Sequence, residues 1–116
     1  MKIILIGSGN VAHHLANAFT QNGVEVAQIF GRNKVELEKI SQDFSIPFST
    51  EILGDADVYF VCVRDSAIGE VSEIIQKKDC IVAHTSGAVS RETLRGSYSK
   101  AVFYPLQTFS KNKILD

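Results

Sequence analysis

Residues 1–12 read MKIILIGSGNVA. An apolar run, Ile3 to Ile6, enters the turn Gly7-Ser8-Gly9-Asn10-Val11-Ala12. The segment that follows has apolar residues at helical spacing. A strand, a glycine turn and a helix in that order form the setting of a dinucleotide-binding fingerprint. Gly7 permits the tight turn. Gly9 has no Cβ, so a pyrophosphate can approach the backbone. Ala12, in the third small position, lets the helix pack close to the strand. The unpaired N–H groups and positive dipole end of that helix then face the phosphates. The plainer alternative is a tight β–α turn that binds nothing.

Outward from this turn, strand and helix patterns alternate. Lys2–Ile6 reads as the first strand. A helix over Asn10 to about Gln21 carries Val11, Leu15, Ala18 and Phe19, and Asn22-Gly23 stops it. Val24–Phe30 reads as the second strand. Asn33 followed by Glu36 resembles a capping box, and Val35, Leu37, Ile40 and Phe44 carry the apolar positions of that helix. Ile46-Pro47-Phe48 is a short third strand, which proline restricts to a sheet edge or a strand start.

Val58–Val63 (VYFVCV) is continuously apolar, as in a parallel strand buried on both faces. Asp65 or Ser66 is placed to cap a helix bearing Ile68, Val71, Ile74 and Ile75. Ile81–His84 is a fifth strand, Ser90 caps a short helix near Glu92–Leu94, and Ala101–Tyr104 is a sixth strand ended by Pro105. This alternation predicts an α/β fold with a doubly wound parallel sheet, six strands in the order 3-2-1-4-5-6. Ligands of such sheets lie beyond the carboxyl ends of the strands. Those ends, Gly7–Val11, Gly31–Asn33, Val63–Ser66, His84–Gly87 and Tyr104–Gln107, carry Gly, Arg, Asn, Ser and Thr residues, while the strands themselves are apolar.

Composition agrees with a globular domain. The chain has 116 residues, 45% hydrophobic and 22% charged, with 12 basic and 13 acidic side chains and a formal net charge of -1. That size suits one domain. No basic stripe exists, so nucleic acid and anionic membrane are poor partners. The first apolar run is too short for a signal peptide, and no stretch reaches transmembrane length. Cys62 and Cys80 form no CxxC pair and no cluster with metal-ligand spacing. They read as reduced, buried thiols of a cytoplasmic protein, and no metal is expected.

The second strand's end decides which dinucleotide. NAD-binding versions of this fold place a carboxylate about 20 residues past the glycines, for the ribose hydroxyls. Here that neighbourhood reads Ile29-Phe30-Gly31-Arg32-Asn33, and Glu25 is at the wrong end of the strand. Gly31 makes room, Arg32 supplies a planar cation, and Asn33 with its helix N-terminus adds donors. This set suits the 2′-phosphate of NADP, because a guanidinium pairs with phosphate through two parallel bonds. NADP is therefore expected over NAD. The alternative is that Arg32 is a solvated surface residue.

GSGNVAHHLA, FGRN, VCVRDSAI, AHTSGAVS and especially VFYPLQTFSK resemble a bacterial family of Rossmann-like NADP oxidoreductases, often of the deazaflavin-dependent type. The resemblance covers nearly the whole chain. By analogy the relatives include pyrroline-5-carboxylate reductase and the β-hydroxyacid dehydrogenases. It implies a helical second domain that supplies a dimer interface and much of the substrate pocket. Residues 1–105 are then the NAD(P)-binding domain, and 106–116 a tail leading toward that helical domain. The expectation is a truncated form that binds NADP, lacks a complete catalytic site and exposes apolar Phe103, Phe109, Ile114 and Leu115.

The resemblance implies cofactor contacts at Gly7, Ser8, Gly9, Asn10, Val11, Arg32, Asn33, Val63, Arg64 and Ser86. Thr85, Ser86 and Gly87 would lie near the nicotinamide and a small substrate, and Gln107 could contact its amide. No catalytic residue is assigned. His84 reads as a strand-end histidine bonded to backbone rather than a proton donor, and Arg64 as a partner of Asp65 or another acid if not of a phosphate. The expected function is hydride transfer between nicotinamide and a small carbonyl or imine. The alternative is a non-catalytic NADP-sensing module.

Overall fold

The computed structural model describes residues 1–103. Six parallel strands form one sheet in the order β3-β2-β1-β4-β5-β6. They are β1 (Ile3–Ile6), β2 (Val26–Phe30), β3 (Phe48–Ser49), β4 (Val58–Val61), β5 (Ile81–His84) and β6 (Ser99–Val102). The helices are α1 (Asn10–Gln21), α2 (Lys34–Phe44) and α3 (Ile68–Ser72), with 3-10 turns at Asp65–Ala67 and Arg91–Thr93. The expected topology is the observed one.

The central strand β1 is buried at all of its positions. Its side chains alternate between two cores, as the period of a strand requires. Ile3 and Leu5 join Ala12, Leu15, Leu37 and Ile40 on the face covered by α1 and α2. Ile4 and Ile6 join Ile68, Ile75, Leu94 and Tyr98 on the opposite face. β4 repeats the division, with Phe60 and Cys62 on the first face and Tyr59 and Val61 on the second. Both faces of these strands are covered, which is why their sequences are apolar runs. A register shift between β1 and β2 lets Val26 and Ile29 face the same core.

Helix α1 ends in a Schellman arrangement. Gly23 takes φ +72°, its N–H donates to Thr20 O at 3.2 Å, and Val24 N donates to Phe19 O at 2.8 Å. That second bond diverts Val24 from the second strand, which starts at Val26 rather than Val24. In α2 the buried positions are Leu37 and Ile40, while Val35 is 78% exposed. Val35 precedes Leu37 by two residues and so lies off its face. Pro47 sits just before β3 at the sheet edge and offers its carbonyl to Ile29 N at 2.9 Å.

The remaining departures lie in the second half. β4 ends at Val61 rather than Val63, although Cys62 N still donates to Ile6 O at 2.7 Å. Neither Asp65 nor Ser66 caps α3; no side chain does. The helical path instead begins as a 3-10 turn and ends in i→i+3 bonds through Ile75. Ser90 does accept from Glu92 N at 3.1 Å, as its spacing predicts. β6 begins two residues earlier than its apolar pattern suggests. Among the described residues it is an edge strand paired with β5 alone, so polar Ser99 and Lys100 are tolerated. Phe103 packs edge-on to Phe60, with ring centroids 5.4 Å apart. Tyr104, Pro105, Gln107, Phe109, Ile114, Leu115 and the expected tail lie outside the described residues.

Candidate nucleotide-binding site

At the carboxyl ends of β1, β2 and β4 the chain opens a cavity of about 740 Å³. That is within the ordinary range of small-molecule sites, roughly 300–1,000 Å³. Gly7, Ser8, Gly9, Arg32, Asn33, Val63 and Arg64 all border it. Asn10 and Val11 open α1 behind the turn and do not line it, and Ser86 lies outside it beyond β5.

The two glycines of the turn have different physical reasons. Gly7 takes φ +126°, and a Cβ there would land on the Cys62 carbonyl oxygen. It is a requirement of the fold, set by the close approach of β1 and β4. Its N–H donates to Phe30 O at 2.7 Å and ties the turn to β2 as well. Gly9 takes φ −83° and is the N-cap of α1. A Cβ at Gly9 would meet nothing within 4 Å. Packing therefore gives no reason for glycine there, and the space beside it belongs to the cavity.

No side chain caps α1, and its first turn holds no acidic residue. Its first N–H groups and dipole end are left for an anion. Ala12, fully buried against the sheet, seats this helix end beside the turn. Arg32 and Arg64 border the same cavity and are exposed. Among the described residues neither forms an ion pair, so the expected partnership of Arg64 with Asp65 is not formed. Phe30, Val63, Val71 and Ile74 supply apolar wall. An open cradle at Gly9, a bare helix N-terminus, two unpaired guanidinium groups and an apolar wall fit the phosphates and base of a dinucleotide.

Gly31 is less special than its sequence position implies. A Cβ there would make ordinary contact with Leu37, 3.5 Å away. Asn33 caps α2, its Oδ1 accepting from Glu36 N at 3.1 Å. The reciprocal half of the capping box is not made by a bond from Glu36 back to Asn33. Instead Glu36 Oε1 accepts from Ser8 Oγ at 2.7 Å. Glu36 thereby borders the cavity, as does Glu70 on α3. Sequence reasoning missed both as site residues. Glu36 carried only a local capping signal, and nothing in that signal shows that the β1–α1 turn comes within reach of its carboxylate.

Beyond β5 the loop is held by a buried histidine. His84 is fully buried, its Nδ1 accepts from Ser86 N at 3.1 Å, and its Nε2 lies 3.2 Å from Ser90 O. The tautomer that satisfies both bonds carries its proton on Nε2. His84 thus has the backbone-bonding role its strand-end position suggests. Ser86 Oγ accepts from Ala88 N at 3.2 Å, and Thr85 is half-buried. Burial pushes the Cys62 thiol up to about 12, and a hydrogen bond with Thr85 draws it partly back.

In α1, His13 faces Asp43 at 3.5 Å and packs edge-on to Phe44. Among the described residues no group of His, Cys, Asp or Glu has a metal-binding arrangement, and no helix is long and apolar enough to cross a membrane.

The sequence profile of the family described as NADP oxidoreductase, coenzyme F420-dependent, matches residues 2–98. No functionally curated protein matches. Among solved structures, a Bacteroides fragilis protein assigned as an NADP oxidoreductase is 28% identical with a TM-score of 0.79, over 89% of this chain and 43% of its own. A Thermotoga maritima protein is 19% identical with a TM-score of 0.72, over 96% of this chain and 45% of its own. Pyrroline-5-carboxylate reductase from Coxiella burnetii is 19% identical with a TM-score of 0.68, over 79% and 37%. The chain spans less than half the length of these structures.

Proposed function

The chain belongs to the NADP oxidoreductase, coenzyme F420-dependent, family, and from that premise we propose that it is the NADP-binding domain of an oxidoreductase acting on a small carbonyl or imine compound. The observation that carries this reading is the convergence of the glycine turn, the uncapped start of α1 and the unpaired Arg32 on one cavity. A nicotinamide cofactor supplies the hydride chemistry when bound, and the protein supplies orientation and electrostatics.

In this reading Gly7 and Ser8 shape the turn, Gly9 keeps a side chain out of the pyrophosphate's path, and Asn10 and Val11 begin the helix whose N–H groups receive it. Arg32 pairs with the 2′-phosphate, and Asn33 borders the same end. Val63 and Arg64 lie against the adenosine half, and Arg64 faces the linking phosphates. Thr85 and Ser86, in the loop after β5, would flank the nicotinamide end, and a polar lining there would favour a reductase over a sensing module. Residues 1–105 are this domain, and in the whole protein a helical domain beyond it supplies the dimer interface and the rest of the substrate pocket. The reduced thiols support a cytoplasmic location.

The test is calorimetric titration with NADPH and NADH. A charge-assisted bond contributes about 1.5–3 kcal/mol, or roughly tenfold or more in affinity. NADPH should bind more tightly than NADH by about that factor, and Arg32→Ala should remove most of the preference. An affinity ratio that Arg32→Ala leaves unchanged would refute the assignment of Arg32.

A further inference from the structure

Glu36 is the group the sequence pattern does not provide for. The end of β2 carries no acid, yet the first turn of α2 brings a carboxylate into the cavity. Its backbone is fixed by the Asn33 cap at 3.1 Å, and Leu37 N donates to Asn33 O at 3.0 Å just beyond it. Its side chain turns away from its own helix end and accepts from the Ser8 hydroxyl at 2.7 Å. It therefore sits against the glycine turn, in the cavity that Arg32 also borders. The lysines nearest in sequence are paired elsewhere: Lys34 with Glu38 at 3.8 Å, and Lys39 with Asp43 at 3.8 Å.

We infer that Glu36 is the ribose-side carboxylate of this cavity and a specificity-determining residue that opposes Arg32 in cofactor choice. An ionised carboxylate accepts hydrogen bonds at about four lone-pair sites and donates none. Ser8 occupies one of them, and the others remain for a ribose hydroxyl. A 2′-phosphate offers only acceptors and negative charge, so Glu36 repels it while Arg32 attracts it. Two groups of opposite sign bordering one cavity then set the preference for NADPH together, and removing the carboxylate widens it.

This inference rests on the dinucleotide reading above, and its test separates the two. The full 116-residue chain is titrated with NADPH and with NADH, unmodified and as Glu36→Gln, Glu36→Ala and Arg32→Ala, at low and high salt. Glu36→Gln should tighten NADPH about fivefold and change NADH by less than about twofold. Glu36→Ala should widen the NADPH-to-NADH ratio in the same direction. The gain should shrink at high salt, because exposed charges are screened. A Glu36 that only supports α2 would, on replacement, lower both affinities together and leave their ratio alone. An unchanged ratio, with Arg32→Ala still weakening NADPH, overturns this inference and spares the dinucleotide site. If the unmodified chain binds neither cofactor, the site assignment itself is wrong and Glu36 loses its role with it.

Discussion

The two glycines of the first turn should respond to substitution in opposite ways. At Gly9 a Cβ meets nothing within 4 Å among the described residues, and φ is an ordinary −83°. The sequence alone suggests that Gly9→Val strains the turn; the backbone geometry removes that expectation. The fold should lose only an N-cap preference, about 1 kcal/mol. The branched side chain instead fills the space beside the helix N-terminus, where a pyrophosphate would lie. At Gly7, φ is +126° and the new Cβ meets the Cys62 carbonyl. Positive φ alone costs a non-glycine residue about 1–3 kcal/mol, and the backbone collision adds to it. Gly7→Ala should therefore remove much of a total stability that is typically about 5–15 kcal/mol. The assay is thermal unfolding with and without NADPH. At ligand near 100 times Kd the unmodified protein should gain about 2.7 kcal/mol, a shift on the order of 10 °C in a domain of this size. Gly9→Val should melt cooperatively near the parent temperature and show no shift. Retention of the full shift would place the phosphates elsewhere. Collapse of the free Gly9→Val protein to the level of Gly7→Ala would refute the structural distinction between them.

Two further expectations concern the core. The Cys62 thiol, raised from 9.0 to about 12 in the folded state, contributes stability that is complete below pH 9 and is lost as pH rises from there toward 12, because the unfolded chain releases its proton first. Cys62→Ala should make the alkaline loss of stability shallower by up to about 1.4 kcal/mol per pH unit, read from urea melts between about pH 8 and pH 10; equal slopes would show that other groups dominate. Ser72 is fully buried, accepts from Arg95 N at 2.9 Å and donates to Gly69 O at 2.7 Å. Ser72→Ala leaves both without that partner and should cost about 1–3 kcal/mol in urea denaturation; a change under about 0.5 kcal/mol would show that water replaces the hydroxyl.

Much of the fold is legible along the chain because its signals are local. Apolar runs mark strands buried on both faces, Asn22-Gly23 ends a helix, and Asn33 begins one through its own side chain. Errors arise where a neighbour decides. Val24 is as β-prone as Val26, but its N–H is taken by Phe19. The polar start of β6 is acceptable because, among the described residues, the strand has a single partner. Asp65 and Ser66 are good capping residues that cap nothing, since the chain enters α3 through a 3-10 turn.

The sequence by itself determined the strand–turn–helix nucleus, the order of the sheet and the clustering of Gly, Arg and Asn at strand ends. Hydrophobic period and turn chemistry act over a few residues, and parallel crossovers have one favoured hand. Tertiary structure alone decided what each glycine is for, since Gly7 is set by Cys62 and Gly9 by empty space. It alone brought the Glu36 carboxylate to Ser8, a partner 28 positions away. Charge at a site depends on which side chains from distant segments converge there, and that distance in space is not written in spacing along the chain.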